Sequence, residues 1–237
     1  MHSCQDNYIE HCKNCPARSK SIFNELTESD MDTIVKIKTT KNYRKAEHLF
    51  LEGTYPKGIF CIQKGKIKVT QSGHDGREQI IYLAHDGDVM GYRAIMGDDR
   101  LSCSSVALEE SAVCFIPKAP FYEILEKNPK LTLKIAHLLS DELKAAERKI
   151  TNTAQRPVKE RLISALFFLK KNYGYEEDLK TLNITIKREE LANLSGTTRE
   201  TATRILYDLQ EQKMLSLVGK KIKIIHEDKL KALLHSL

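Results

Sequence analysis

The chain has 237 residues, enough for one or two domains with a buried core. Its 41% hydrophobic and 30% charged residues exclude a disordered chain, and no run approaches the roughly 18 apolar residues of a membrane span. The net charge is +6, and residues 1–23 carry no apolar signal-peptide core, so we predict a cytoplasmic protein that does not bind a membrane.

Six cysteines are spread along the chain, at positions 4, 12, 15, 61, 103 and 114. A cytoplasmic protein is expected to keep them reduced. Cys12 and Cys15 have a C-x-x-C spacing, which can place two thiolates on one metal ion or cluster. We predict that Cys61, which lies between Phe60 and Ile62, belongs to the core, and that Cys103 is a candidate reactive thiol.

Residues 41–117 contain many short predicted strands separated by glycine-bearing turns. The strands are predicted on both sides of Gly65 within residues 58–69, at residues 79–84 and within residues 104–116. This pattern is typical of a small β-barrel or jelly roll.

A long helix is predicted over residues 128–152. Apolar residues follow one another at spacings of three and four, at Ile135, Leu139, Leu143, Ala146 and Ile150. This narrow stripe is suited to pairing with a second copy of itself, and packing against the barrel of the same chain is the alternative. A further helix is predicted over residues 158–173, after Pro157.

A helix, a tight turn and a second helix are predicted from residue 187 onward. In the second helix one face carries Arg199, Glu200, Thr203 and Arg204, and the opposite face carries Ala202, Ile205, Leu206 and Leu209. Arginine bonds guanine and glutamate accepts from cytosine, so the first face suits a DNA major groove. An ordinary solvated helix face is the alternative.

The charge distribution favours the DNA-binding interpretation. From Thr151 onward the chain has 16 Lys and Arg against 11 Asp and Glu, whereas the remainder has 22 against 21. Lys and Arg displace counterions from phosphates, so a basic region of this kind suits double-stranded DNA. Residues 214–225, with Gly219-Lys220 at their centre, are predicted to form a β-hairpin, which makes residues 155–237 a winged helix.

The order of these parts resembles the CRP/FNR family of bacterial transcription regulators over nearly the whole chain. The motifs that carry the resemblance are Gly53, residues 65–69 (GKIKV), residues 87–91 (GDVMG) and residues 199–206 (RETATRIL). The resemblance implies an α+β fold with a cyclic-nucleotide-binding-like β-roll, a long dimerisation helix and a C-terminal winged helix-turn-helix. We predict a cysteine-bearing segment at 1–22, the roll at 23–127, the dimerisation helix at 128–154 and the DNA-binding domain at 155–237.

The resemblance also implies a homodimer that binds a pseudo-palindrome and works with RNA polymerase. It assigns base contacts to Arg199, Glu200 and Arg204, with half-sites like TGTGA or TTGAC. Thr203 replaces a serine of FNR-type members, so the choice between half-sites stays open. Thr197 or Thr198 is predicted to cap this helix, and a Thr197–Glu200 capping box is the alternative role for Glu200.

Two kinds of signal are considered for the roll, a nucleotide and a change at its cysteines. Family members that bind cyclic AMP carry a ribose-binding Glu where this chain has Tyr92, and an Arg-Ser pair that residues 99–103 lack. Cyclic AMP is therefore not expected, although Arg100 is a candidate for holding a small anionic or nucleotide ligand. A nucleotide-responsive module without DNA contacts is the competing class.

Cysteines offer a different signal. Cys12, Cys15 and Cys114 match three of the four cluster ligands of FNR-type oxygen sensors, and the fourth position falls near Ser21. We hypothesise that Cys4 substitutes, so that these four cysteines bind an iron–sulfur cluster that reports oxygen or nitric oxide. The alternatives are a zinc site, or plain thiols with Cys114 as a small buried side chain. The sequence contains no nucleotide-cradling loop, nucleophile elbow or zinc-protease motif, so no enzyme is predicted.

Overall fold

The computed structural model describes residues 15–74 and 78–234 of the chain. The chain divides into two compact units. One boundary falls within a long helix, between Lys144 and Ala145, and the described residues 78–80 are grouped with the second unit. None of the helices among the described residues has the length and apolar character needed to cross a membrane.

The first unit contains a β-roll. Its strands are β1 (Thr39–Tyr43), β2 (His48–Phe50), β3 (Gly58–Lys64), β4 (Ile67–Ser72), β5 (Glu78–Ala84), β6 (Val89–Met90), β7 (Ser104–Ala107) and β8 (Ser111–Pro117). They form two four-stranded sheets, in the orders β1-β8-β3-β6 and β2-β7-β4-β5. The predicted roll is confirmed, and the turn between β3 and β4 leads from one sheet to the other.

Gly65 is required in that turn. Its φ of +126° lies in the region that favours glycine, and a Cβ atom added there would lie 2.1 Å from the Ser111 hydroxyl oxygen. The Gly65 amide donates to the Asp86 carboxylate at 2.7 Å. A side chain at this position would therefore collide with Ser111 at the start of β8.

Helices cover one sheet of the roll. The N-terminal part has two short 3-10 helices (Pro16–Lys20 and Ile22–Glu25), followed by α1 (Glu28–Ile37), α2 (Tyr92–Met96), α3 (Lys118–Lys127) and α4 (Pro129–Gln155). Helix α4 corresponds to the long helix predicted over residues 128–152.

Apolar residues of the first unit form two clusters on opposite sides of β3. Ile62 packs with Ile67 and Val113 in the cluster between the sheets. Ile59 packs in the other cluster, on the helical side, with buried side chains from α1, α3 and α4. Because successive strand residues point to opposite faces, the side chain of Cys61 shares the helical side with Ile59.

The second unit is a winged helix. It contains α5 (Val158–Tyr173), α6 (Arg188–Ser195), α7 (Arg199–Glu211), β9 (Leu215–Val218), β10 (Lys221–Ile224) and α8 (Glu227–Ala232). Strands β9 and β10 form the predicted hairpin, with Val218 opposite Lys221. Leu182 N–H donates to the Ile222 carbonyl at 2.9 Å, so the segment before α6 extends this small sheet. The α+β fold predicted from the sequence is confirmed.

Candidate DNA interface and candidate cysteine site

The start and the end of α6, the first helix of the helix-turn-helix, are each fixed by a local feature of the backbone. At the start of α6, the Lys187 N–H donates to the Glu190 carboxylate at 2.8 Å, which satisfies one of the backbone donors that a helix start leaves without a partner. At its end, Gly196 adopts a φ of +64°, the left-handed conformation that commonly stops a helix. Residues 196–198 then form the tight turn that the sequence predicted.

Thr198 caps the recognition helix α7. Its hydroxyl oxygen accepts from the Thr201 N–H at 3.3 Å, and its backbone is extended, as expected of a cap. Thr201 therefore occupies the third helical position, which a Thr197–Glu200 capping box would have given to Glu200. That alternative is corrected by the structure, and the Glu200 side chain is exposed instead.

The two faces of α7 separate as the sequence pattern predicted. Ala202, Ile205, Leu206 and Leu209 are buried. On the opposite face Arg199, Glu200 and Arg204 are exposed, and Thr203 is half-buried. We call these last four residues the front face. Its groups are free to approach a groove because the back of the helix is fixed by the core.

Two arginines that the sequence analysis did not single out hold this arrangement. Arg161 on α5 donates to the Gly196 carbonyl at 3.2 Å and to the Thr153 carbonyl at 3.0 Å. Arg188 on α6 donates to the Gly219 carbonyl at 3.1 Å, at the tip of the hairpin, and burial lowers its pKa. Both are positioning residues for the turn and the wing. Only the three-dimensional fold identifies them, because their partners are backbone carbonyls.

The predicted dimer stripe divides into two parts. Ile135 is fully buried in the helical-side cluster of its own chain, and Leu139 packs against that cluster. Ile135 therefore cannot contact a second copy, and the structure corrects its placement in the interface. Leu143 and Ile150 are 62% and 70% exposed, and Ala146 between them is also exposed. We call Leu143, Ala146 and Ile150 the exposed stripe.

Only part of the predicted cysteine site lies within the described residues. Cys4 and Cys12 lie outside the described residues. Cys15 and Cys114 line one cavity, beside Ser21 at the position where the family's fourth ligand is expected. Cys61 lines the same cavity, which sequence analysis did not predict. The Ser21 hydroxyl accepts from the Phe23 N–H at 3.4 Å and so caps the second 3-10 helix.

Basic and hydroxyl groups surround the Cys114 sulfur. Lys38 Nζ lies 3.7 Å from Cys114 Sγ, and Thr40 Oγ1 lies 3.4 Å from it. Arg18 also lines the cavity, and its guanidinium donates to the Leu26 carbonyl at 3.2 Å.

The donor set of the cavity suits a thiolate-held group. Three thiols line it, and iron–sulfur clusters and zinc are both held by cysteine thiolates. Among residues 15–74 and 78–234, no three His, Cys, Asp or Glu side chains already lie in a metal-binding group. Occupancy would therefore require the cavity walls to adjust and Cys12 to contribute.

A different, half-buried polar cluster connects the roll to α4. Arg93 Nε lies 3.3 Å from the Glu142 carboxylate of α4, and its guanidinium lies 5.3 Å from the Tyr82 ring centroid. Burial raises the pKa of Tyr82 and of the Cys103 thiol. A raised pKa makes Cys103 a less reactive thiol, contrary to its candidacy from the sequence.

Tyr92 and Arg100, the two residues considered for nucleotide binding, contact other parts of the protein instead. The Tyr92 side chain is buried among the apolar residues of the helical-side cluster. Arg100 lies on the surface, with its guanidinium 4.3 Å from the Tyr55 ring centroid and donating to the Gly53 carbonyl at 2.8 Å. Neither residue turns into the roll toward a ligand.

A β-roll, a long helix and a winged helix with an exposed polar front face are the architecture of a DNA-binding transcription regulator. Comparisons with known proteins agree. The model of the cyclic nucleotide-binding domain matches residues 40–128, and the model of the Crp-like helix-turn-helix domain matches residues 160–233.

The relatives and solved structures place the chain more narrowly. The fumarate and nitrate reduction regulatory protein of Vibrio cholerae is 33% identical over 226 residues, 93% of this chain and 88% of that protein. The anaerobic regulatory protein of Pasteurella multocida is 32% identical over 216 residues, 90% of this chain and 79% of that protein. The chain belongs to the CRP/FNR family of transcription regulators, and these relatives are regulators rather than enzymes.

Solved structures of the family share the fold at low identity. A CRP/FNR-family transcriptional regulator from Thermus thermophilus matches with a TM-score of 0.71 at 22% identity, covering 84% of this chain and 99% of that one. FixK2 from Bradyrhizobium japonicum matches with a TM-score of 0.73 at 20% identity, covering 83% and 97%.

Proposed function

We propose that this regulator binds a pseudo-palindromic DNA site through two copies of the front face of α7. The observation that carries the proposal is that Arg199, Glu200 and Arg204 are exposed together on a helix whose opposite side is buried. Arginine pairs with guanine O6 and N7 through two hydrogen bonds, and glutamate accepts from cytosine N4. Thr203 is half-buried beside them, while Thr197 and Thr198 at the helix start are suited to phosphate contacts.

We assign the dimer contact to the exposed stripe of α4. Leu143, Ala146 and Ile150 follow one another at spacings of three and four, which is the spacing of a coiled-coil seam. Exposed aliphatic side chains of this size are stabilised when a second apolar face covers them. A symmetric dimer places two recognition helices about one DNA turn apart, and RNA polymerase is the proposed partner on the promoter. Because its target is DNA, the proposed location is the cytoplasm.

We propose that Cys12, Cys15 and Cys114 hold an iron–sulfur cluster, with Cys4 as the fourth thiolate. Cys15 and Cys114 are 99 positions apart in sequence, yet they line one cavity with Lys38 and Arg18. A four-thiolate cluster carries net negative charge, which these two cations offset. The names of the relatives, among them an anaerobic regulatory protein, support a response to oxygen. When bound, the cluster would supply a redox-sensitive group that oxygen or nitric oxide converts.

The chain's own residues link that cavity to α4. The cavity walls include Met31 and Ile34 of α1 and Ile116 of β8. The same three side chains pack in the cluster that contains Ile135 of α4. A change in how the cavity is filled therefore acts on packing at the start of the helix that carries the exposed stripe. We propose that this packing transmits the signal to the dimer.

A nucleotide-responsive roll is the competing function. The Arg93 guanidinium is already engaged by Glu142, and Arg100 lies against Tyr55 on the surface. A ligand with a phosphate would have to displace one of these partners. We therefore favour the cysteine cavity over the roll interior as the sensing site.

One experiment tests both parts of the proposal. The protein is purified without oxygen, its iron and acid-labile sulfide are measured, and its binding to DNA with TGTGA or TTGAC half-sites is titrated before and after exposure to air. We expect iron, visible absorption and salt-dependent binding to one half-site, weakened by air. Protein that stays colourless and iron-free after anaerobic reconstitution contradicts the cluster, and the absence of salt-dependent binding contradicts the DNA interface.

A further inference from the structure

Cys61 lies directly opposite Cys114 in the roll. Strands β3 and β8 are antiparallel, and Cys61 pairs with Cys114 in their register. Both side chains lie on the helical side of the sheet, because Cys61 packs against the helical-side cluster and Cys114 is two positions from Ile116 of that cluster. The two thiols are therefore neighbours on one face, although 53 positions separate them in sequence.

The hydrogen bonds between β3 and β8 determine the spacing of this pair. At the end of the same ladder, the Lys118 N–H donates to the Lys57 carbonyl at 2.9 Å. Hydrogen-bonded pairs alternate along antiparallel strands, so Cys61 and Cys114 form a pair of this kind, with Cα atoms about 5.5 Å apart. A disulfide needs Cα atoms about 4.4–6.8 Å apart. The backbone at this pair therefore already has the spacing that a disulfide requires.

We propose that Cys61 and Cys114 form a reversible disulfide by exchange with a small disulfide such as oxidised glutathione. Both side chains are half-buried and line the cavity, from which a small solute can reach them. One cysteine, as its thiolate, attacks a sulfur of the small disulfide and releases one small thiol. The other cysteine then attacks this mixed disulfide, which forms the bond between the strands and releases the second small thiol. The two cysteines lose two electrons and two protons, and the small disulfide gains both.

The strand pairing also makes this bond easy to reverse. Cβ atoms opposite each other in an antiparallel pair lie about 4.5–5.5 Å apart, whereas a disulfide brings them to about 3.5–4.5 Å. Closing the bond therefore draws two side chains together against strands whose spacing is fixed by their hydrogen bonds. Strained disulfides are more readily reduced, and disulfides in a reducing compartment are usually transient and redox-sensing. We expect a bond that follows the thiol balance around the protein.

The other described cysteines are placed less favourably. Cys103 packs in the cluster between the sheets, on the opposite side of β3. Cys15 lines the same cavity and is the competing partner, but it precedes the first 3-10 helix and is not held opposite Cys114 by a strand. A sulfur in the proposed disulfide cannot bind a metal, so the disulfide and any metal at Cys114 exclude each other. The inference goes beyond the proposed function and does not depend on it, because it uses two thiols alone.

The test uses the full chain, reduced, freed of metal with a chelator and equilibrated without oxygen in glutathione buffers of increasing oxidised fraction. Exchange is stopped with acid, the remaining thiols are alkylated, and the protein is cleaved after Lys, Arg and Glu. This cleavage releases Cys61 in the peptide 58–64 and Cys114 in the peptide 111–118, and it separates Cys114 from Cys103. Mass spectrometry then quantifies every linked pair and every alkylated cysteine. Because the protein is metal-free, the result is independent of whether the chain binds iron.

In wild type we expect the Cys61–Cys114 linkage to exceed every other linkage about tenfold or more, because groups held next to each other react at high effective concentration. Dithiothreitol should remove it. Cys61→Ser should abolish it, whereas Cys15→Ser and the matched control Cys103→Ser should keep it. Wild type in which Cys61 and Cys114 are both still alkylated after the most oxidising buffer overturns the inference, and so does a Cys15–Cys114 linkage that is the more abundant. Both of these outcomes are read from wild type, so they do not depend on how the variants fold.

Discussion

The front face of α7 and the exposed stripe of α4 are both accessible, but their chemistry is opposite. Arg199 and Arg204 expose charged guanidinium groups, whereas Leu143 and Ile150 expose aliphatic side chains. A charged face gains from a polyanion and loses that gain as salt rises, while an apolar face is stabilised by any matching apolar surface and is insensitive to moderate salt. The difference indicates two partners, DNA and a second copy, that salt can separate experimentally.

The largest expected effect comes from removing the support behind the front face. Leu206 is fully buried on the back of α7, so Leu206→Ala leaves a cavity and should lower the free energy of unfolding by about 2–5 kcal/mol. Tyr207→Ala, at the next position, is the control, because Tyr207 is 55% exposed and its loss should cost about 0.5 kcal/mol or less. Chemical denaturation measures both. Equal losses would show that the back of α7 is not a packed face.

Truncating the exposed stripe should weaken the dimer without destabilising the fold. Burying a leucine contributes about 1.5–3 kcal/mol, and a symmetric contact uses Leu143 from each copy. Leu143→Ala should therefore raise the dimer dissociation constant at least tenfold, as measured by sedimentation. Leu133→Ala is the matched control, since Leu133 is also 62% exposed on α4 but lies off the stripe. An equal effect of both variants would remove the special role of the stripe.

Arg204 tests whether the charged face contacts bases or only phosphates. Arg204→Ala should cost about 1–3 kcal/mol of DNA binding and relax the preference at one base-pair position. Arg204→Lys keeps the charge but loses the two-pronged hydrogen bond, so it should recover the salt dependence without recovering the preference. Competition titrations with single-base variants of the site measure this. If lysine restores the preference completely, Arg204 contacts the backbone alone.

Features that depend on local periodicity were predicted from the sequence better than features that depend on which surface packs against a helix face. The faces of α7 follow from residues three and four apart, so Ala202 and Leu206 are buried and Arg199 and Arg204 are exposed as predicted. The stripe of α4 has equally clear periodicity, but periodicity does not say what covers a face. Ile135 is covered by the roll of its own chain and Leu143 is not.

The cysteine site shows why register matters. Alternation along β3 places Cys61 on the face opposite Phe60 and Ile62, so the strand period itself carried a signal against a core role in that cluster. The contact between Cys61 and Cys114, however, depends on how β3 pairs with β8. No local pattern fixes that pairing, because the two positions are 53 apart in sequence, with 52 residues between them.

The cap of α7 gives the smallest expected effect and the finest test of its geometry. Thr197 and Thr198 are adjacent hydroxyl residues, and composition alone does not choose between them, but only Thr198 accepts from the Thr201 N–H. Thr198→Ala should lower the free energy of unfolding by about 1 kcal/mol, and Thr198→Ser should restore most of it. Thr197→Ala should leave stability nearly unchanged, and a larger loss from Thr197→Ala than from Thr198→Ala would reinstate the alternative cap. A cap fixes where the helix starts, so this comparison decides whether Arg199 is the first or the second helical residue.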